Sequence, residues 1–326
     1  MKSEILSALR ETEDFVSGQD LCEKLNVSRT AVWKSIKQLQ EEGYEIEAVS
    51  KKGYRLLGWP DTVACEEVMS RLQTVWAGRP VQYFKEINST NTYAKKIAED
   101  GAEEGTLVVA DDQTQGKGRR GRVWNTLPGT AVSMTLVLRP KLPPERISMV
   151  TLVMGLAVAC ACRELYGLPT GIKWPNDVVI EGKKICGILT EMSAELSSVN
   201  YVVIGTGINA NIQDFPEEIR QKATSLILEL GHKVNRAELI ACCMKYFEQF
   251  YEKFTQAGDL SLLMEQYNEI LLNRGREVRV LELGNEYTGT SQGINKAGEL
   301  LVVKEDGTRS AVYAGEVSVR GVYGYV

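Results

Sequence analysis

The sequence predicts a multidomain α+β protein, and three observations lead to that expectation. A chain of 326 residues is longer than one small core requires, so two or three domains are expected. The composition, 44% hydrophobic and 25% charged, is that of ordinary globular protein. The apolar period also changes twice along the chain. It gives three short helices and a hairpin in the first 60 residues, a mix of helix and strand to about residue 271, and short strands from there on. The expected domains are therefore 1–60, 61–272 and 273–326.

In the first segment, Ile5, Leu6 and Leu9 place an apolar stripe on a first helix. Ser17, three residues before Asp20, caps a second helix, Gln19–Leu25. Asn26-Val27 turns the chain, and Ser28 caps a third helix, Arg29 to Glu41, with Val32, Ile36 and Leu39 inward. Tyr44–Val49 alternates as a strand, and Lys51-Lys52-Gly53 turns it back into Tyr54–Leu57. Helices joined by a tight turn and followed by a hairpin make a winged helix-turn-helix. The net charge of the whole chain is −5, so any nucleic-acid contact has to come from a local basic face. Such a face exists. Arg29, Lys34 and Lys37 lie in a stretch without acids, and Lys51, Lys52 and Arg55 cluster at the hairpin. Ser28, Arg29, Thr30, Trp33, Lys34 and Lys37 on the helix, with Lys51 and Lys52 on the wing, are the expected DNA contacts. The competing reading is a solvated face on a protein–protein module.

Trp59-Pro60-Asp61 marks the boundary of the next segment. Strands are expected at Val81–Lys85, Thr106–Asp111, Thr130–Leu138, Gly171–Trp174, Val178–Ile180, Lys184–Met192 and Asn200–Gly205, forming one mixed sheet. Helices are expected at Thr62–Trp76, Thr92–Asp100, Pro144–Tyr166, Arg236–Ala257 and Leu260–Leu271. Five short strands, Arg276–Val280, Tyr287–Gly293, Leu300–Val303, Arg309–Tyr313 and Glu316–Val319, then predict a small C-terminal β-barrel. The longest apolar run, Met149 to Cys162, is shorter than the ~18 residues of a membrane span and reads as a buried helix. The first residues lack the apolar stretch of a signal peptide, so a cytoplasmic protein with no membrane association is expected.

Seven cysteines form an odd set without a C-x-x-C pair, as free thiols in a reducing compartment do. The chain holds one histidine, His232, in a Leu-Gly-His-Lys turn. That scarcity argues against Ser-His or Cys-His nucleophile pairs and against a zinc site, so no metal ligands are assigned.

Chemistry is expected where glycine and cations meet. Gly116-Lys117-Gly118-Arg119-Arg120-Gly121-Arg122 follows a strand and combines close backbone approach with charge that neutralises an anion. It has neither Walker A nor Rossmann spacing. Alone it reads equally as a basic surface loop. Lys173-Trp174-Pro175-Asn176-Asp177 makes an abrupt corner between two strands, and Lys184 returns on the next strand opposite Asp177. Ser89-Thr90-Asn91 offers hydroxyls and an amide at a helix N-terminus, a grip for a small polar headgroup. Gly205-Thr206-Gly207-Ile208-Asn209 ends a strand with an amide able to read a purine.

In order and spacing these stretches, together with Lys184-Ile185-Cys186-Gly187-Ile188-Leu189, resemble the biotin protein ligases over residues 80–212. The winged helix and C-terminal strands extend the resemblance to the branch that is both ligase and biotin-responsive repressor. The resemblance implies two steps: biotin and ATP give biotinyl-5′-adenylate and pyrophosphate, then a lysine of a biotin carrier domain takes the biotinyl group and releases AMP. It implies Arg119 and Lys184 as stabilisers of charge on the α-phosphate, and Asp177 as a residue orienting the incoming lysine or Mg²⁺. Gly116, Lys117 and Gly118 would be the ordering loop, with Arg120, Trp124, Asn176 and Gly187 beside it. Ser89, Thr90, Asn91 and Gln113 would bind the ureido group, and Asn209 would face the adenine. The partners implied are the biotin carrier domain of a biotin-dependent carboxylase, operator DNA, and a second copy in an adenylate-bound homodimer, with Arg320 a further candidate acceptor contact. Lys117 stands where arginine is frequent in the family, and Ala223-Thr224-Ser225-Leu226 lacks the tryptophan that some relatives place near the adenine. Two alternatives stand beside this reading: a lipoate-type ligase of the same fold, and a DNA-binding biotin sensor without ligase activity.

Overall fold

A computed structural model describes residues 1–124, 126–195, 198–282, 285–313 and 318–321. Its N-terminal part holds α1 (Lys2–Arg10), α2 (Gly18–Leu25), α3 (Arg29–Glu41) and the hairpin β1 (Glu45–Val49) and β2 (Gly53–Gly58). The predicted caps form: Ser17 Oγ accepts from the Asp20 N–H at 3.0 Å and Ser28 Oγ from that of Ala31 at 3.2 Å. Asn26 ends α2 in the left-handed region. The wing closes on the segment before α2 because Val16 and Tyr54 exchange backbone hydrogen bonds of 2.8 and 2.9 Å. Gly53, at φ +114°, sits directly on the Val16 carbonyl, where any Cβ would collide. Ile5, Leu6, Leu9, Leu21, Val32, Ile36 and Leu39 form a core of its own.

The central part begins with α4 (Cys65–Arg71), β3 (Val81–Ile87), α5 (Thr90–Glu99), β4 (Leu107–Gln113), β5 (Ala131–Leu138) and α6 (Ser148–Tyr166). It continues with β6 (Thr170–Lys173), β7 (Asp177–Ile180), β8 (Lys183–Ala194), β9 (Val199–Asn209), α7 (Glu217–Arg220), α8 (Leu226–Leu230), α9 (Arg236–Ala257) and α10 (Met264–Glu269). The seven strands form one sheet in the order β3-β4-β5-β9-β8-β7-β6. Only β3 and β4 are parallel, so the sheet is mixed as expected. One face carries α5, with Ala94 and Ala98 on Val108, Val137 and Val203. The other carries α6 and α9 over the main core. Pro144–Tyr166 is, among the described residues, the one segment long and apolar enough to cross a membrane, and 72% of its most apolar window is buried inside the protein.

Two helices are shorter than their sequence suggests, and both lose residues to tertiary acceptors. The helix expected over Thr62–Trp76 stops at Arg71, because the Val75, Trp76 and Ala77 amides donate to the Glu248 carboxylate at 2.8, 3.0 and 2.9 Å. The helix expected over Leu260–Leu271 is confined to Met264–Glu269. Leu260 N–H donates to Lys296 O at 2.8 Å, and Ile270 and Leu272 bond on either side of Ile172.

The C-terminal strands β10 (Glu277–Glu282), β11 (Asn285–Ile294), β12 (Leu300–Val303), β13 (Arg309–Val312) and β14 (Ser318–Gly321) form an antiparallel sheet, ordered β13-β12-β11-β10-β14. The expected small barrel is not closed: among the described residues the edge strands β13 and β14 do not pair. The reason lies in packing. Val278, Val280, Ile294, Leu300, Val302 and Val312 join the core of the central part, so the sheet finds its second layer there rather than on itself.

Candidate functional site

Glycines on β8 and β9 make a floor. Gly187 pairs with Gly207 and Leu189 with Gly205 across the two strands, so all three glycines face the α5 side. The space that side chains would fill is taken by residues from elsewhere. A Cβ on Gly187 would lie 2.7 Å from Lys184 Nζ, one on Gly207 would lie 2.6 Å from the Trp124 ring, and one on Gly205 would collide with the Asn91 carboxamide. Three separate segments thereby converge on one surface.

The corner between β6 and β7 supplies the next groups. Trp174 is fully buried, its backbone N–H donates to Asn273 Oδ1 at 2.8 Å, and its Nε1 donates to Gly298 O at 3.0 Å. The C-terminal sheet and the segment leading to it therefore grip the corner from behind. In front, Asn176 Oδ1 accepts from Arg119 Nη1 at 2.8 Å, while Asn176 Nδ2 donates to Ile188 O at 3.1 Å. Lys184 Nζ lies 2.5 Å from Asp177 Oδ1. The glycine–arginine loop folds back on itself: Gly118 N–H donates to Arg122 O at 2.8 Å, Trp124 N–H donates to Gly116 O at 2.9 Å, and Arg120 takes φ 57°. Burial pulls the Arg119 guanidinium below its usual pKa, with Asp177 opposing and the neighbouring arginines adding to the shift.

Two cavities meet at this surface. A cleft of about 1580 Å³ runs from the glycine–arginine loop past Lys173 to residues 211–223. A small pocket of about 60 Å³ lies over the glycine floor and is closed by Ser89, Thr90, Asn91 and Gln113. Gly118, Arg119, Trp124, Asn176 and Lys184 line both. Trp124 Nε1 is buried at this junction with no partner among the described residues, a donor suited to a bound ligand. Lys117 reaches the small pocket and Arg120 the cleft, and both are exposed. Gly116 lines neither and instead makes room for the Trp124 backbone. Asn209 lines the cleft, but its amide nitrogen is already engaged by the Lys184 and Thr224 carbonyls at 3.3 and 2.9 Å. It staples strand ends together.

Sequence reasoning missed two residues here. Thr135 Oγ1 lies 2.8 Å from Thr90 Oγ1 and 2.7 Å from Asn91 Oδ1, and Glu191 accepts from Asn91 Nδ2 at 2.8 Å. The only signal was their place on strands pointing toward the α5 side. Their partners lie 44 and 100 residues away. Arg320 has a side chain outside the described residues. His232 is exposed, and its ring Nδ1 lies 3.1 Å from the Lys233 carbonyl oxygen.

The basic face of the N-terminal part is assembled as well. Thr30, Trp33, Lys34 and Lys37 are exposed along α3, with Lys37 Nζ 5.4 Å from the Trp33 ring centre. Ser28 caps the helix, and Arg29 donates to Gln19 Oε1 at 2.8 Å. Lys51 and Lys52 project at the wing tip, and a groove of about 440 Å³ separates them from Arg29.

Comparison with known proteins agrees with this arrangement. A model of the biotin/lipoate A/B protein ligase family matches residues 83–209, a helix-turn-helix model residues 2–55, and a biotin protein ligase C-terminal domain model residues 275–320. The bifunctional ligase/repressor BirA of Bacillus subtilis is 41% identical over 310 residues, 94% of each chain. That of Escherichia coli is 30% identical over 316 residues, 97% of this chain and 96% of the relative. The solved biotin protein ligase from Aquifex aeolicus in complex with biotin and ATP, 30% identical, matches with a TM-score of 0.65 over 74% of this chain and 98% of that one. The chain belongs to the family of bifunctional biotin protein ligase–repressors.

Proposed function

We propose that this chain is an ATP-dependent biotin protein ligase that also acts as a biotin-responsive repressor of biotin genes. The observation that carries the ligase reading is the junction of the two cavities. Biotin's ring system would occupy the small pocket with its carboxylate at the junction, and ATP would lie in the cleft. A carboxylate oxygen then bonds to the α-phosphorus while the bond to pyrophosphate breaks, and the charge on the α-phosphoryl oxygens is met by Arg119 and Lys184. An acceptor lysine next attacks the acyl carbon and AMP departs, with Asp177 beside Lys184 to orient the amine. No enzyme nucleophile is needed.

Among the described residues no three His, Cys, Asp or Glu converge as a metal site. Mg²⁺ would enter as a cation borne by ATP, where it would offset phosphate charge, and Asp177 is the nearby carboxylate that would help to hold it. The acceptor is proposed to be the biotin carrier domain of a biotin-dependent carboxylase. DNA binding is assigned to α3 and the wing, acting on a two-fold operator through a homodimer that forms when the adenylate is bound. The domains are taken as 1–60, 61–272 and 273–326. Seven free cysteines fit a cytoplasmic protein without membrane association. Incubation with an isolated biotin carrier domain, biotin and ATP should raise the carrier's mass by one biotinyl group. An unchanged mass would refute the ligase assignment.

A further inference from the structure

Behind the small pocket lies a continuous chain of polar side chains, four of them buried. Thr135 is fully buried, Thr90 and Asn91 are at most 5% exposed, and Gln113 is 9% exposed. Lys95 Nζ sits 2.7 Å from Glu191 Oε1, and Asn91 Nδ2 donates to Glu191 Oε2 at 2.8 Å. A weaker donation from Asn91 Nδ2 to Leu189 O, at 3.4 Å, supports the same amide orientation. Asn91 Oδ1 must then be the acceptor for the Thr135 hydroxyl, 2.7 Å away. A hydroxyl has one proton, so Thr135 gives none to Thr90, whose Oγ1 is 2.8 Å away. Thr90 spends its own proton inside the protein, on Thr135 or on Gln113 Oε1 at 3.0 Å. The protons of Thr135 and Asn91 therefore run away from Thr90 and toward a carboxylate that its partners keep ionised, and none of them reaches Thr90 Oγ1 from behind. Burial alone would raise the Glu191 carboxyl, but hydrogen bonds from Lys95 and Asn91 hold it below the usual range.

We infer that Glu191 is a specificity-determining positioning residue, which fixes the proton polarity of this chain so that Thr90 Oγ1 meets the ligand purely as an acceptor of a ring N–H. The carboxylate acts through Asn91. Without a negative partner the carboxamide is free to turn over, placing its NH₂ on Thr135. The Thr135 proton then swings to Thr90 Oγ1 and fills the lone pair a ligand N–H requires. A polarised chain ending on a charge is stronger than its separate links, so this control reaches the pocket without direct contact. The inference rests on the biotin reading above and specifies what the pocket recognises: a ureido donor.

The test is calorimetric titration of the full chain without ATP, using biotin and a biotin methylated at a ureido nitrogen. The native chain should prefer biotin strongly. Glu191→Gln should weaken biotin by roughly tenfold, about the worth of one hydrogen bond, and barely change the methylated ligand, so the preference collapses. Lys95→Met, which keeps the carboxylate but removes its cation, should move in the same direction by less. Melting temperatures of both variants serve as the check on folding. An undiminished preference for biotin in Glu191→Gln overturns the inference. A native chain that binds neither ligand overturns the biotin reading itself, a result distinct from that failure.

Discussion

Lys184 reaches Asp177 only because nothing stands above Gly187. A Cβ there would lie 2.7 Å from the ammonium nitrogen, and the contact is with the end of a flexible side chain. Gly187→Ala should therefore cost little stability, within about 1 kcal/mol, yet turn the amine out of the junction and lower kcat for adenylate formation. Lys184→Ala should lower it by ~10²–10³, the usual loss on removing one charge-stabilising donor, a larger loss than the one calorimetry reads in biotin affinity. Unchanged kcat in both variants would remove Lys184 from the chemistry. The convergence of Arg119 and Lys184 on one junction was legible in the sequence only when the glycine–arginine stretch was taken together with the Lys173–Asp177 corner, since alone that stretch reads equally as a basic surface loop. The supporting residues were not. Thr135 and Glu191 sit in ordinary strand sequence, and their meaning comes from Asn91, 44 and 100 residues away.

At the scale of elements, the corner between β6 and β7 shows what the C-terminal sheet contributes. Asn273 accepts the Trp174 N–H and Gly298 accepts its indole, so the turn that presents Asn176 and Asp177 is fixed from outside the central sheet. Asn273→Leu would leave a buried N–H without an acceptor, which costs about 1–3 kcal/mol in urea unfolding. It should also lower kcat more than it raises the KM for biotin, since the corner reaches the small pocket through Asn176 alone while most of that pocket's wall comes from α5, β8, β9 and the glycine–arginine loop. A KM effect alone would contradict that role. The caps, the recognition helix and most strands of the central sheet were legible, because local periods and caps decide them. The ends of α4 and α10 were not, since the Glu248 carboxylate and the Ile172 backbone claim residues that local pattern gives to helices. The barrel expectation failed to close for a related reason: strand count was readable, but not that the sheet's apolar face would seat on the central core.

At the scale of the whole molecule, the DNA-binding head meets the central part around a buried carboxylate. Glu67 on α4 is inaccessible to solvent and accepts from Arg10 Nη2 at 2.8 Å, Tyr44 Oη at 2.8 Å and Arg71 Nε at 2.7 Å. Arg10 and Arg71 also flank the Trp59 ring at 5.4 and 5.0 Å. The junction pockets lie elsewhere, so the two activities should separate by mutation. Replacing Lys51 and Lys52 with alanine should reduce the salt slope of operator binding by about 1–2 and leave pyrophosphate release unaltered. A parallel loss of both would show that wing and active site are not independent. The most direct test of the whole account is pyrophosphate release from ATP in the absence of acceptor, with biotin, lipoate and octanoate added separately. A single burst, close to one equivalent per chain, is expected with biotin alone. Silence with biotin, or an equal burst with lipoate or octanoate, would contradict it.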